Sequence, residues 1–300
     1  MGDLKCLTTK EVARLCRVSD ATVKRWQAAG LLDSERTSGG HRRFRAEEVA
    51  RFQREQGLGE KKCLGGESVL AVSSRVYCAS KNQTDSAFFR SLIKGCEEGA
   101  ANVLIGAHLS GESPAEICDR IVCPAMSQIG EMWAGGKISV TEEHLASRVA
   151  HAAIYKLRAA LPVSASNQGL AMCCAAAGDL HELPTYLAQM TIENEGWETI
   201  NFGANTPFPN LTKEILRRAP AFVCLSATML TEPERRFCDF QRLRAQIAKT
   251  DTLLVVGGRA FDDERTRAHF SADGFLRNFA ELAEFARSFS NAAEVSALLL

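Results

Sequence analysis

Asp179-Leu180-His181 closes the apolar run from Leu170 to Ala177 and precedes a helical pattern. A histidine at a strand exit, with a carboxylate two residues before it, can ligate a metal in a cleft while the carboxylate steadies the ring. Small and polar residues also end the later apolar runs: Gly203 and Asn205, Ser226 and Thr228, and Gly257-Gly258. A second group lies near the start of the chain. Arg36, His41, Arg42 and Arg43 surround Gly39-Gly40, a hairpin-tip signal flanked by cations that suit phosphate.

The elements that must position these residues follow from periodicity. Thr8 to Glu11 fits a capping box, followed by an apolar face at Val12, Ala13, Leu15 and Cys16. Ser19 is the expected N-cap of a second helix, with Val23 and Trp26 on one face and Gly30 at its end. A third helix is expected from Ala46. Residues 58–82 lack periodicity and read as a linker. Residues 83–162 read as helical, with breaks near Gly99, at Ser110-Gly111 and at Gly135-Gly136, which implies a four-helix bundle. Ser113-Pro114 reads as an N-cap and first-turn proline.

From residue 168 to 300 the period changes. Apolar runs at Leu170–Ala177, Thr199–Phe202, Phe222–Ser226, Leu253–Val256 and Gly274–Leu276 alternate with amphipathic helices. That alternation predicts a parallel sheet covered on both faces, with ligands at the carboxyl ends of its strands.

Charge separates the parts. The whole chain is balanced at 36 basic and 36 acidic residues, but residues 1–57 hold twelve Lys or Arg against eight Asp or Glu. A basic head on an acidic body suits a nucleic-acid reader. The 11 cysteines form no C-x-x-C pair and fall mostly in apolar settings, as reduced core cysteines of a cytoplasmic protein do. Neither a signal peptide nor a membrane span is expected. A metal site joined to a DNA reader points to a sensor.

The first sixty residues resemble the winged helix-turn-helix of MerR-type regulators, through Val12 to Trp26, Ala29-Gly30-Leu31-Leu32 and the wing Gly39-Gly40-His41-Arg42-Arg43-Phe44. The resemblance implies that the second helix enters the major groove of double-stranded operator DNA, with Thr22, Lys24 and Arg25 projecting from it. Arg36, Arg42 and Arg43 would lie on phosphates, and His41 is a further DNA-binding residue of the wing. Trp26 and Phe44 are expected in the core.

The remainder resembles cobalamin-binding modules, a helical bundle capping a Rossmann-like, flavodoxin-like domain. Their Asp-x-His-x-x-Gly, Ser-x-Leu/Thr and Gly-Gly signatures read here as Asp179-x-His181-x-x-Pro184, Ser226-Ala227-Thr228 and Gly257-Gly258. The resemblance makes His181 the lower axial ligand of cobalt and Asp179 its hydrogen-bond partner. The nucleotide tail would lie beside Ser226 and the glycines. Trp133, separated by nine residues from Glu143-His144, resembles the W-x9-EH motif of the CarH/CarA/LitR group of light- or cobalamin-responsive repressors, where these residues cover the upper corrin face.

That resemblance implies a cytoplasmic, multidomain regulator binding cobalamin, in the adenosyl form. Its oligomeric state, dimer or tetramer, would respond to ligand and light and set its hold on DNA. Two positions depart from the pattern. Pro184 replaces the signature glycine. Ala134 stands where some light-sensing members carry histidine after the tryptophan, which leaves His144 or His151 for that place, or leaves it unfilled. A regulator sensing a partner protein or another ligand is the alternative; a corrinoid enzyme subunit would share the sheet but lack the DNA-binding head.

Overall fold

Two compact units, Met1–Pro162 and Val163–Leu300, make up the chain in a computed structural model. The structure describes residues 6–16, 18–56, 81–161, 168–230 and 233–297. The linker expected over residues 58–82 lies outside them as far as residue 80.

The first unit begins with strand β1 (Leu7–Thr8) and helix α1 (Thr9–Leu15). The Thr8 hydroxyl accepts from the Glu11 amide and the Glu11 carboxylate accepts from the Thr8 amide, so the expected capping box forms. Ser19 caps α2 (Asp20–Ala28) by accepting from the Thr22 amide. Strands β2 (Glu35–Arg36) and β3 (Arg42–Phe44) form the hairpin, and β3 also pairs with β1. The tip needs a left-handed residue, supplied by Gly40 at φ 76°. Helix α3 (Ala46–Gln56) closes the head. Val12, Val23, Leu32, Phe44, Val49 and Phe52 are its buried core, and Trp26 packs on Phe52 at 4.7 Å between ring centres.

Four helical segments follow: α4 (Lys81–Ile93), α5 (Glu97–Leu109), a rod from Pro114 to Ala134, and α8 (Val140–Ala160). Buried Ala100, Ala101, Ala146, Ala150 and Ala153 let the helices approach closely, and Leu104, Ile105, Val149 and Leu157 fill the core. The break expected near Gly99 lies earlier, at Gly95-Cys96. Gly95 takes the left-handed conformation at φ 68° that ends α4. Gly99 instead sits in the first turn of α5, where a Cβ would come within 2.9 Å of the Ser91 hydroxyl. Its smallness serves helix packing, not a turn.

The rod is interrupted. Between α6 (Pro114–Ile117) and α7 (Cys123–Ala134) lies a π turn, Cys118–Val122, in which the Cys123 amide donates to the Cys118 carbonyl. Pro124 follows at once. Its ring would meet the carbonyl four residues back in a regular helix, and the widened turn relieves that contact.

The second unit is a five-stranded parallel sheet ordered β5-β4-β6-β7-β8, from β4 (Leu170–Ala175), β5 (Glu198–Asn201), β6 (Phe222–Ser226), β7 (Leu253–Gly257) and β8 (Gly274–Leu276). Strand side chains alternate between two cores. Met172, Cys174, Val223, Leu225, Leu254 and Val256 meet α10 (Phe208–Arg218) and α11 (Pro233–Ile247) through Phe208, Leu211, Ile215, Phe240 and Leu243. Ala171, Cys173, Phe222, Cys224 and Val255 meet α9 (Leu183–Asn194) and α13 (Phe279–Ala297) through Ala188, Ile192, Leu282 and Ala286. A short helix, α12 (Glu264–His269), precedes β8. Cysteines 16, 118, 173, 174 and 224 are buried, and burial pushes the Cys174 thiol well above its ordinary value. No helix among the described residues is long and apolar enough to cross a membrane.

Candidate cofactor site and nucleic-acid interface

In the second unit the chain leaves β4 to one side for β5, then returns past β4 to lay down β6. This reversal opens a crevice at the carboxyl ends of β4 and β6, where doubly wound sheets bind ligands. Asp179 and His181 lie in the loop after β4, and Thr228 follows β6. Asp179 is 1% exposed and accepts three hydrogen bonds. Its Oδ1 takes the His181 amide at 3.0 Å and His181 Nδ1 at 2.6 Å. Its Oδ2 takes the Thr228 amide at 2.5 Å. Burial opposes ionisation of this carboxyl, but the bonds from the His181 ring, its amide and the Thr228 amide outweigh it, so the acid is held below its ordinary value. The Asp179 contact makes Nδ1 the protonated nitrogen, and metal coordination by this ring would pass through Nε2.

The loop is built for this. Gly178 takes φ 88° and donates its amide to the Asn205 side chain, while the left-handed Asn205 (φ 50°) returns its own amide to the Asp179 carbonyl. Asn205 thus anchors the carboxylate's backbone. Thr228 contributes through its amide, a role its side chain does not announce. Pro184 sits in the first turn of α9, after the N-cap Glu182, where no N–H is missed.

Gly258 takes φ 103°, and any Cβ there would collide with the Ala227 carbonyl. At Gly257 a Cβ would reach within 2.9 Å of the Leu276 carbonyl. Beside them lies a cavity of about 190 Å³, bounded by Val256, Gly258, Phe261, Phe275, Arg267 and Arg277. Ser226 is buried at the end of β6. Flanking His181 in sequence, Leu180 is 77% exposed, and Met229 beside Thr228 is 59% exposed. Sequence reasoning passed over both: an apolar type gives no sign of facing outward.

Among the described residues no group of three or more His, Cys, Asp or Glu can hold a metal ion. A single oriented imidazole is too few ligands for a bare ion, which takes four in a zinc site. It suits a metal already carried in a macrocycle, with one axial place to fill. The exposed apolar side chains on either side suit a broad apolar face.

In the first unit Trp133 lies in the last turn of α7 and is 51% exposed, so it is no core residue. Glu143 follows Glu142, which is spent in the capping box with Ser139. Glu143 accepts from the Ser147 hydroxyl at 2.7 Å, and its other oxygen lies 3.7 Å from His144 Nε2. His144 is exposed.

In the head, Lys24, Arg25, Arg36 and His41 are exposed, and Thr22, Arg42 and Arg43 half-buried. The Thr22 hydroxyl shares the N-cap network with Ser19 at 3.0 Å and accepts from Arg25 at 3.4 Å. Arg43 donates to the Arg42 carbonyl at 3.1 Å. Gln27, which no pattern in the sequence marks, accepts from Arg42 Nε at 3.0 Å through its side chain.

A wing and recognition helix, and a sheet offering one carboxylate-held imidazole at its switch point, define a DNA-binding protein with a place for a metal-bearing macrocycle. Comparison with known proteins gives that class its content. Residues 6–57 match the family described as a helix-turn-helix domain, and residues 86–158 that described as a B12 binding domain. The cofactor class is therefore cobalamin. The chain is similar to the HTH-type transcriptional repressor CarH of Myxococcus xanthus, at 26% identity over 152 residues, 51% of this chain and 50% of the repressor. The chain thus spans about half the length of that relative. It is also similar to dimethylamine corrinoid protein 2 of Methanosarcina mazei, at 21% identity over 55% of this chain and 78% of that protein. The structure of the Methanosarcina barkeri monomethylamine corrinoid protein shares the fold, with a TM-score of 0.59 at 18% identity over 70% of this chain and 99% of that one.

Proposed function

We propose that this protein is a transcriptional repressor whose hold on DNA is set by bound adenosylcobalamin and released by light. The observation that carries the reading is the buried Asp179 fixing His181 at the sheet's switch point, in a chain that begins with a winged helix-turn-helix. Adenosylcobalamin, when bound, supplies a photolabile cobalt–carbon bond. His181 would hold the cobalt through Nε2, and Asp179 would keep the ring in the ligating tautomer. Gly257 and Gly258, with Ser226 and Thr228, leave backbone and small groups against the cofactor. Trp133, Glu143 and His144 are the proposed cofactor-contacting residues of the first unit. Residues 1–57 carry the DNA contacts, residues 83–162 and 168–300 the cofactor contacts.

A head with a surplus of four positive charges holds few phosphates, so a single copy binds weakly. Specific binding then requires a dimer or tetramer, whose linked heads act at a high effective concentration. A light-dependent loss of that assembly lowers affinity without any change in the head.

The test is to add adenosylcobalamin to purified protein in darkness, record absorption spectrum and elution volume, and illuminate. A cobalamin spectrum with a light-dependent change in size is expected. No bound corrinoid sinks the reading; binding without a light response removes the photoreceptor part. His181→Ala should weaken binding or change the axial-ligand spectrum, and an unchanged spectrum removes the ligand assignment. Pro184, in place of the signature glycine, favours a second reading in which this unit senses a partner protein or another ligand.

A further inference from the structure

The hairpin's cations are not equivalent. Arg45 is held by Glu35, whose Oε1 accepts from its Nε at 3.0 Å and its Nη2 at 2.7 Å, so that charge is compensated on the spot. Arg42 is held differently. Its Nε donates to Gln27 Oε1 at 3.0 Å, across 15 residues, from the hairpin to the last turn of the recognition helix α2. The acceptor is a neutral amide. It fixes the guanidinium by its inner nitrogen and leaves the charge whole, with both Nη groups to offer a phosphate oxygen pair. Both side chains are half-buried, so the bond is shielded from water on one side. Across the hairpin, Arg42 stands directly opposite Arg36 in the β2–β3 register. Two cations face one another there, and an unheld Arg42 would swing away from its neighbour.

We infer that Gln27 is a positioning residue for DNA binding: it holds Arg42 on the wing at a set place relative to the recognition helix, so that base and phosphate contacts are made together. The inference rests on the DNA-binding reading of the head. A glutamate at this place would hold the arginine more strongly but cancel its charge; an alanine would leave the charge and lose the hold. These two failures are separable, because phosphate neutralisation is read from the salt dependence of affinity and preorganisation from its magnitude.

The test measures binding of full-length protein, incubated with adenosylcobalamin and kept in darkness, to a fluorescein-labelled mixed-sequence duplex by anisotropy over a series of KCl concentrations. Phosphate contacts do not depend on sequence, so no operator is required. Gln27→Ala is expected to weaken binding about 2- to 10-fold, the cost of ordering one long side chain on binding. Arg42→Ala lowers the slope of log affinity against log salt by about one. Gln27→Glu lowers the slope by a similar amount while leaving the thermal midpoint at or above that of the parent. In the Arg42→Ala background Gln27→Ala has no further effect, which a general loss of head stability would not produce. Equal weakening by Gln27→Ala with and without Arg42, or a parental slope in Gln27→Glu, overturns the inference while the DNA-binding reading stands. A parent protein that does not bind the duplex at the lowest salt overturns both.

Discussion

Replacing Asp179 by asparagine changes one oxygen into an amide nitrogen in a pocket where both oxygens accept. Three donors converge there: the His181 amide, the His181 ring and the Thr228 amide. With the asparagine oxygen on the histidine side, its NH2 meets the Thr228 N–H; flipped, it meets the two histidine donors. Either way a half-buried donor loses its acceptor and a charge-assisted bond to the buried side chain is gone. Such a loss costs about 2–4 kcal/mol, once the unsatisfied donor is counted. Urea unfolding at neutral pH, followed by circular dichroism and tryptophan emission, reads it directly. Trp197, buried against Phe222 at 5.0 Å, reports this unit. The carboxyl's depressed acidity adds a pH signature. A group with a lowered folded value stabilises above its unfolded value, near 3.8, and that contribution disappears as pH falls through the folded value. The acid side of the parent's stability profile should flatten in the asparagine variant. A loss below about 0.5 kcal/mol, the range of an ordinary surface change, would refute the assigned bonding.

Two further outcomes are expected. Gly258→Ala, forced to φ 103° with its Cβ on the Ala227 carbonyl, should cost at least about 1–3 kcal/mol and lower the thermal midpoint; an unchanged midpoint would show the turn to be elastic. Ser139→Ala removes the cap that accepts from the Glu142 amide and should cost about 1 kcal/mol, with Ser139→Asp restoring most of it in the same melting assay.

The fold was legible wherever local pattern and tertiary demand agree. Caps at Thr8, Ser19 and Ser113 act over three residues, so sequence contains both partners. The strands were legible because a sheet covered on both faces requires continuous apolar runs. Their ends were less so: Ala176 and Ala177 extend the first run in composition, but the chain has already turned toward Asp179, whose amide bonds the Ala176 carbonyl. Gly99 read as a break because a glycine's packing role depends on a neighbour, here Ser91, that spacing does not reveal. The Asp179–His181 pair was legible at a separation of two residues. Its third partner, the Thr228 amide, is 49 residues away and belongs to a backbone every residue shares. Gln27 carried no signal for the same reason: its partner is chosen by the hairpin's position. Trp133 would pass for core by type, and only its motif neighbours Glu143 and His144 suggested otherwise.

The π turn at Cys118–Val122 holds one residue more than a regular helix turn would. The wider turn absorbs that residue, so the helix beyond it keeps the phase of an α-helix one residue shorter. Drawing the same residues into an unbroken α-helix, at roughly 100° per residue, would carry each residue of α7 one position further round the rod and turn Trp133 off its exposed face, whereas removing one residue from 118–122 would leave it where it is. The outward-facing indole is therefore a matter of phase, set fifteen residues upstream by one inserted position. A substitution that straightens this turn, such as one at Pro124, therefore decides which side chain α7 turns outward at its far end.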